Sequence, residues 1–328
     1  MDKKNVKALG LCSGGLDSIL SGMVLKKQGI DVTWISFETP FFNADKAIKA
    51  SEQTGIPLIR KDITDIYLEM LRNPRLGYGK NMNPCRDCHS LMFRLAGEIM
   101  ENECFDFLFS GEVMGQRPLS QTKQSLRYVE KQSGFDGKIL RPLSARALPE
   151  TEVEKAGLVD RDQLLDFTGR SRKPQIQLAR EMGITDFPLP AGGCLLTDAN
   201  FSRRLKDLFD HEQQVAVNDI ELLKYGRHIR LSDTVKIIVG RTRADNQAII
   251  SLNDSHRYME VDVTGIGSPT ILVPVHADDE MLGLAAAICV GYSKTPPDQI
   301  ANVSVRTKDR AEILQARAVV PDTRGIRL

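Results

Sequence analysis

Cysteine is scarce in this sequence, with six in 328 residues, so it cannot form the disulfide scaffold that staples small secreted domains. Long apolar runs are also missing. The longest, Met281 to Tyr292, falls far short of the roughly 18 residues a membrane span needs, and the apolar stretch before Ser13 is too short for a signal h-region. A soluble, cytoplasmic protein with no membrane partner is expected. Neither sign of charge dominates: 44 Lys and Arg stand against 43 Asp and Glu, which excludes a globally basic nucleic-acid coat and leaves only segregated basic faces. There is no low-complexity tract and no internal repeat, and 25 Gly with 15 Pro is ordinary for a globular chain, which removes collagen-like and disordered readings. At about 150 residues per domain, the length leaves room for two cores.

The first part of the chain alternates in character. Val6 to Cys12 and Asp31 to Glu38 are β-rich, Leu16 to Gly29 and Ala44 to Gly55 have helical spacing, and Pro57 to Lys61 extends again. This pattern predicts an α/β unit, a doubly wound parallel sheet whose ligand site lies beyond the carboxyl ends of its strands. A helix follows Pro84 with Cys85 and Cys88 in its first turn, and Phe105 to Ser110 reads as a buried strand. The two prolines and two glycines between Phe187 and Gly193 impose a loop, and Cys194 follows it directly. Beyond Leu222, strands are expected at Thr234–Val239, Gln247–Leu252, Thr270–Val275 and Val303–Val305, with a helix over Met281–Cys289. The expected organisation is a catalytic domain over 1–165, a helical extension over 166–220 carrying the Cys194 loop, and a C-terminal α+β domain over 221–328.

The turn after the first strand reads Ser13-Gly14-Gly15-Leu16-Asp17-Ser18. Glycine amides and the open N–H groups at the start of a helix cradle phosphate, Ser13 and Ser18 add hydroxyls, and Asp17 can hold Mg²⁺. No Gly-Lys-Ser/Thr follows, so this is not a Walker A loop. The string resembles the SGGxDS pyrophosphate loop (PP-loop) of the N-type ATP pyrophosphatases, in the adenine nucleotide alpha hydrolase-like group, which cleave ATP between its α and β phosphates to adenylate a carbonyl oxygen.

Asn83-Pro84-Cys85-Arg86-Asp87-Cys88 is similar to a segment of tRNA 2-thiouridylases, and Cys194 supplies a third loop cysteine. Three thiolates can hold three irons of a [4Fe–4S] cluster, leaving the fourth open to sulfide. A zinc site using the adjacent His89 and a persulfide mechanism remain open alternatives. Cys12, Cys104 and Cys289 are read as packing residues, with burial expected for the last two. Ser110-Gly111-Glu112-Val113-Met114-Gly115-Gln116 with Ser120-Gln121-Thr122 is similar to a stretch of tRNA 4-thiouridine synthetases, which puts Glu112 and Gln116 against the nucleotide or the target uridine; Lys138 to Leu143 matches an Arg-Pro-Leu segment of the same enzymes.

Those synthetases carry an RNA-binding extension before the loop, which here begins at residue 13, and often a sulfur-carrying rhodanese domain. RNA binding is therefore expected from the C-terminal module, where Tyr225 to His228, Val239 to Asn246 and Gly267 to Thr270 are similar to the NFACT-R RNA-binding domain. From Lys224 onward 14 Lys and Arg face 12 Asp and Glu, so a basic face there must come from segregation. Arg227, Arg241 and Arg243, with Arg172, Lys173, Arg203 and Arg204 flanking the Cys194 loop, are the expected phosphate contacts. The resemblances imply an ATP- and Mg²⁺-dependent tRNA sulfurtransferase that takes sulfide or a cysteine-desulfurase-derived donor, as a monomer or homodimer. The rival readings are a small-molecule amide synthetase with a structural zinc (Zn²⁺) and an RNA-binding adaptor that only senses nucleotide.

Overall fold

The computed structural model describes residues 5–188, 194–309 and 311–320, and it separates into two compact units, Met1–Thr197 and Asp198–Leu328. In the first, the strands β1 (Lys7–Leu11), β2 (Asp31–Glu38) and β3 (Leu58–Asp62) alternate with helices α1 (Leu16–Lys27), α2 (Asp45–Thr54) and α3 (Thr64–Arg72). The long helix α4 (Cys85–Asn102) leads into β4 (Phe107–Ser110), then α5 (Lys123–Ser133), β5 (Ile139–Leu140), α6 (Glu152–Lys155) and α7 (Lys173–Glu181). All pairings are parallel, in the order β3-β2-β1-β4-β5.

Because helices cover both faces, the central strands are apolar throughout: Ala8, Leu9, Trp34, Phe107 and Phe109 are fully buried. The strand order reverses direction between β1 and β4, so the loops leaving their carboxyl ends part there and open the crevice in which such sheets bind ligands. Those loops are the Cys12–Gly15 turn and the segment that begins at Gly111. The predicted helix after Pro84 and the β1–α1–β2–α2–β3 alternation stand where the sequence placed them, with ends within two residues. The Leu189–Gly193 part of the expected loop lies outside the described residues.

The second unit opens with α8 (Ala199–His211) and α9 (Val217–Leu222), followed by β6 (Arg227–Arg230), β7 (Lys236–Val239), α10 (Arg243–Leu252), β8 (Tyr258–Val263), β9 (Ile271–Pro274), α11 (Asp279–Gly291), β10 (Ala301–Arg306) and β11 (Ala311–Ala316). Its sheet is antiparallel, in the order β11-β10-β8-β9-β7-β6. Side chains alternate across it: Ile237, Val239, Ile271 and Val273 join the core that includes α11 residues, while Ile238 and Leu272 meet Leu222 and Ile249 on the other face.

Three expectations are corrected. The helices over 199–222 belong to this unit rather than to an extension of the first, because Arg204 donates to the carbonyls of Leu223 (2.8 Å) and Gly226 (3.2 Å) and Asp207 takes the Arg230 guanidinium at 2.6 and 2.7 Å. Gln247–Leu252 is helical rather than a strand. Thr242 caps α10 by accepting from the Asp245 amide at 3.0 Å, and the β-branched pair divides between core and solvent, Ile249 buried and Ile250 44% exposed. Cys104 is exposed, at φ +57° in the turn that ends α4, whereas Cys289 is buried as expected. Among the described residues no helix is long and apolar enough to cross a membrane.

Candidate functional site

The β1–α1 turn is built for close approach of backbone to a ligand. Gly14 has φ +67°, and a Cβ there would stand 2.1 Å from the carbonyl carbon of Lys46 at the start of α2, so only glycine fits. The Cys12 sulfur, its pKa raised to about 11 by burial, accepts from the Gly14 amide at 3.4 Å. Ser18 is buried and donates its hydroxyl to the Gly15 carbonyl at 2.8 Å, which closes the turn, while Ser13 is exposed at its tip. Gly15 sits at the N-cap of α1 and offers no side-chain cap, which leaves the first-turn N–H groups and the positive end of the helix to an anion. Gly111 closes the other wall: a Cβ there would lie 2.4 Å from the Asp17 carbonyl carbon.

Asp17 projects from the first turn of α1 into a chain of amides. Gln116 donates Nε2 to Asp17 Oδ2 at 2.7 Å and accepts at Oε1 from Gln175 Nε2 at 3.0 Å. Burial pushes the Asp17 carboxyl upward, opposed by the Gln116 hydrogen bond and by the charges of Arg172 and Arg117. Asp17 Oδ1, Gln175 Oε1 and Arg172 Nε are all buried without a hydrogen-bond partner. A shielded carboxylate oxygen with no partner suits a divalent cation, so the residues present fit Mg²⁺ at Asp17. The loop after β4 therefore delivers Gln116 to Asp17, 99 positions away in sequence. Arg172, expected on an RNA-facing surface, stands instead beside Asp17; Lys173, next to it, is exposed. Sequence reading passed over Gln175, which has no motif and lies in the irregular stretch between Pro142 and Pro190.

Cys85, Cys88 and Cys194 come together within the first unit. Cys194 is held by a 3-10 turn at Leu195–Thr197: Leu196 is fully buried, the Leu195 amide donates to Phe41 O at 3.4 Å, and Asn81 donates to Thr197 O at 2.7 Å. Asn83 donates to Cys85 Sγ at 3.4 Å. Burial raises Cys88 to about 12, opposed by a hydrogen bond from Tyr67 and reinforced by Cys194, Cys85 and Asp87. Burial raises Cys194 to about 11, with Cys85 adding to it. Tyr67, 1% exposed, is a member of this group that sequence reading missed.

At neutral pH such thiols hold their protons, which disfavours them as nucleophiles unless a cation is supplied. Three thiols are donors of the kind that ligate iron, but among the described residues no three His, Cys, Asp or Glu side chains form a group placed to hold a metal ion. His89, the expected fourth zinc ligand, is turned to Glu112, with Nδ1 2.8 Å from Oε1.

Glu112 was expected to meet nucleotide or uridine, and the structure corrects this. Both oxygens are taken: Oε1 by His89, and Oε2 by Arg141 Nε at 3.0 Å and Ser110 Oγ at 3.2 Å. Burial pushes its carboxyl up, but Arg141 and His89 outweigh it and hold it at about 2. Arg141 also pairs with Glu130 on α5. The network ties the cysteine helix α4, through His89, to the loop whose Gly111 backs Asp17.

The Arg141→Met variant leaves the buried Glu112 carboxylate short of its arginine and is expected to lose about 3–5 kcal/mol in urea denaturation at pH 7. Glu112 is depressed below its usual value of about 4.5, so its contribution is fully present above that value and lost as pH falls toward 2. In the variant this acid-side decline should shrink.

In the second unit the arginines divide. Arg204 is spent on Leu223 and Gly226, Arg230 on Asp207, and Arg257 on Asp219 at 2.6 Å. Arg203, Arg241 and Arg243 are exposed, and Arg203 and Arg241 lie near enough to Arg204 for their charges to act with burial in lowering its pKa. Arg241 is braced by Asp245 at 2.9 Å, and Arg227 lies over the Tyr292 ring at 5.0 Å. Arg204 is therefore a structural residue rather than a free phosphate contact, while Arg241 and Arg243 stand at the N-terminus of α10.

Residues 4–147 match the family described as thiamine biosynthesis protein (ThiI), and residues 226–323 match the NFACT protein RNA binding domain. Both resemblances drawn from the sequence are met. A tRNA-specific 2-thiouridylase of Thermoanaerobacter sp. is 27% identical over 233 residues, covering 63% of this chain and 59% of the relative. A probable tRNA sulfurtransferase of Latilactobacillus sakei is 30% identical over 132 residues, covering 38% of this chain and 31% of the relative. The chain thus spans well under two thirds of either. A solved 4-thiouridine synthetase in complex with RNA and bound ATP aligns over 55% of this chain and 52% of its own, at 21% identity and TM-score 0.34.

Proposed function

We propose that this chain is an ATP-dependent tRNA sulfurtransferase that adenylates a uridine carbonyl, at C4 or C2, and replaces its oxygen with sulfur. One observation carries the reading. A phosphate turn with a half-buried, partly unpartnered Asp17 and a group of three thiols share one unit, joined through His89, Glu112 and the loop at Gly111.

The α1 amides and the Gly14–Gly15 backbone bind the β and γ phosphates of ATP, and the leaving pyrophosphate stays on the same donors. Asp17, oriented by Gln116, would hold Mg²⁺, which offsets charge developing on the transferring phosphate. The uracil oxygen attacks the α phosphorus and the bond to the β-phosphate oxygen breaks. The resulting adenylate turns a poor oxygen leaving group into AMP, which sulfide then displaces to give C=S. Cys85, Cys88 and Cys194 would hold three irons of a [4Fe–4S] cluster, whose open iron supplies a site for sulfide delivered free or by a desulfurase.

Protein purified without oxygen should show a broad absorption near 400 nm and bind iron. Colourless, zinc-loaded protein would overturn the cluster assignment.

RNA is held by phosphate contacts from the second unit. The double variant Arg241→Ala/Arg243→Ala should weaken tRNA binding by a similar factor across sequences and lower the slope of log affinity against log salt by about one per arginine. Filter binding at several salt concentrations measures both.

A further inference from the structure

Which direction each amide in the Asp17 chain faces is not free. Asp17 Oδ2 can only accept, so Gln116 must present its NH₂ to it and its oxygen to Gln175; Gln175 must then present its NH₂ back and its own oxygen onward. That oxygen is fixed as an acceptor, on a side chain 1% exposed, and it has no partner. A phosphate, which only accepts, cannot satisfy it. On the same turn of helix, three residues earlier, Arg172 presents a buried and unpartnered Nε–H, and its charge acts on Asp17.

An acceptor and a donor one helical turn apart complement a group that carries a donor next to an acceptor. The imide edge of uracil is such a group, with N3–H between two carbonyl oxygens. The base, rather than the adenine of ATP, must come to this place, because the oxygen that attacks the α phosphorus has to reach the phosphate that Asp17 serves, while adenine is separated from that phosphate by the ribose.

We propose that Gln175 Oε1 accepts the N3–H of the target uracil while Arg172 Nε–H donates to the neighbouring carbonyl oxygen, the one that is adenylated. These two residues then select the base and aim its reacting oxygen. The inference rests on the reading of the chain as a uridine-adenylating enzyme. Both residues lie outside the 4–147 stretch that carries the ThiI resemblance.

The test uses the full chain with an unmodified tRNA transcript whose thiolated position is first located by mass spectrometry, and the same RNA with N3-methyluridine at that position. Binding of each RNA without ATP is followed, because N3-methylation also removes the proton that uracil must lose on O-adenylation and would slow AMP formation whatever contacts N3. The wild type is expected to bind the uridine RNA about a hundredfold more tightly, since the methyl group leaves a buried acceptor unpaired. Gln175→Leu should reduce that preference to less than about fivefold, with circular dichroism reporting an intact fold. Arg172→Met should lower kcat for AMP formation at least tenfold.

Retention of the full preference in Gln175→Leu would overturn the assignment. A shift confined to the KM for ATP would overturn it as well, placing the acceptor against the nucleotide. If wild-type chain forms no AMP with any tRNA, the functional reading itself fails and the inference falls with it.

Discussion

Replacing Cys194 with alanine is expected to lower thiouridine formation by about ten thousandfold or more, the scale seen when a group acting on the reacting atoms is removed, while ATP cleavage continues. Cys194 belongs to the sulfur group and not to the phosphate turn: it lies near enough to Cys85, Cys88 and Tyr67 for their charges to act on one another, and the 3-10 turn after it is anchored on Phe41 and Asn81, whereas the phosphate turn is held by Cys12, Gly14 and Ser18. Pyrophosphate should still appear when tRNA is present, and the adenylated uridine should revert slowly to uridine and AMP. Mass spectrometry of the RNA beside a pyrophosphate assay separates the two steps. Equal loss of both would mean that Cys194 supports the fold or the adenylation step.

The Asp17→Asn variant should show the opposite division of labour, losing about a thousandfold in tRNA-dependent AMP formation and, with it, all thiolation. The substitution keeps the shape and still accepts from Gln116, but it removes the charge and puts an NH₂ group where a cation would sit. Because Asp17 is half-buried in the first unit and the exposed Arg241 and Arg243 stand at the start of α10 in the second, tRNA affinity and its salt dependence should not change. The iron content should also match wild type.

The parallel-sheet unit was legible because its signals are local. Gly-rich turns end strands and start helices, and the β1–α1–β2–α2–β3 alternation reads directly in hydrophobic periodicity. The antiparallel unit was harder. Tyr258–Val263, which alternates Glu and Asp with apolar residues, was not among the expected strands, yet it is an inner strand with Met259, Val261 and Val263 buried. The Gln247–Leu252 run looked extended because of its paired isoleucines, and the Thr242 cap decided otherwise.

At the site, motif residues were found in proportion to how much of their role is backbone geometry. Glu112 was misassigned because its partners Arg141 and His89 are distant in sequence, and nothing local shows that both its oxygens are already occupied. Gln175 carries no motif, and its role arises only from a hydrogen-bond chain that spans three loops and helices. Arg172 and Arg204 were read as surface cations, but burial in one case and carbonyl partners in the other decide what they do.

The most direct test incubates the anaerobically purified chain with ATP, Mg²⁺, sulfide and an unmodified tRNA transcript, and counts AMP and thiouridine together. The expected result is AMP formed only when RNA is present, with one thiouridine per AMP once sulfide saturates and no ADP. AMP formation that ignores RNA and sulfide, or ATP cleavage to ADP with no sulfur entering the RNA, would contradict it.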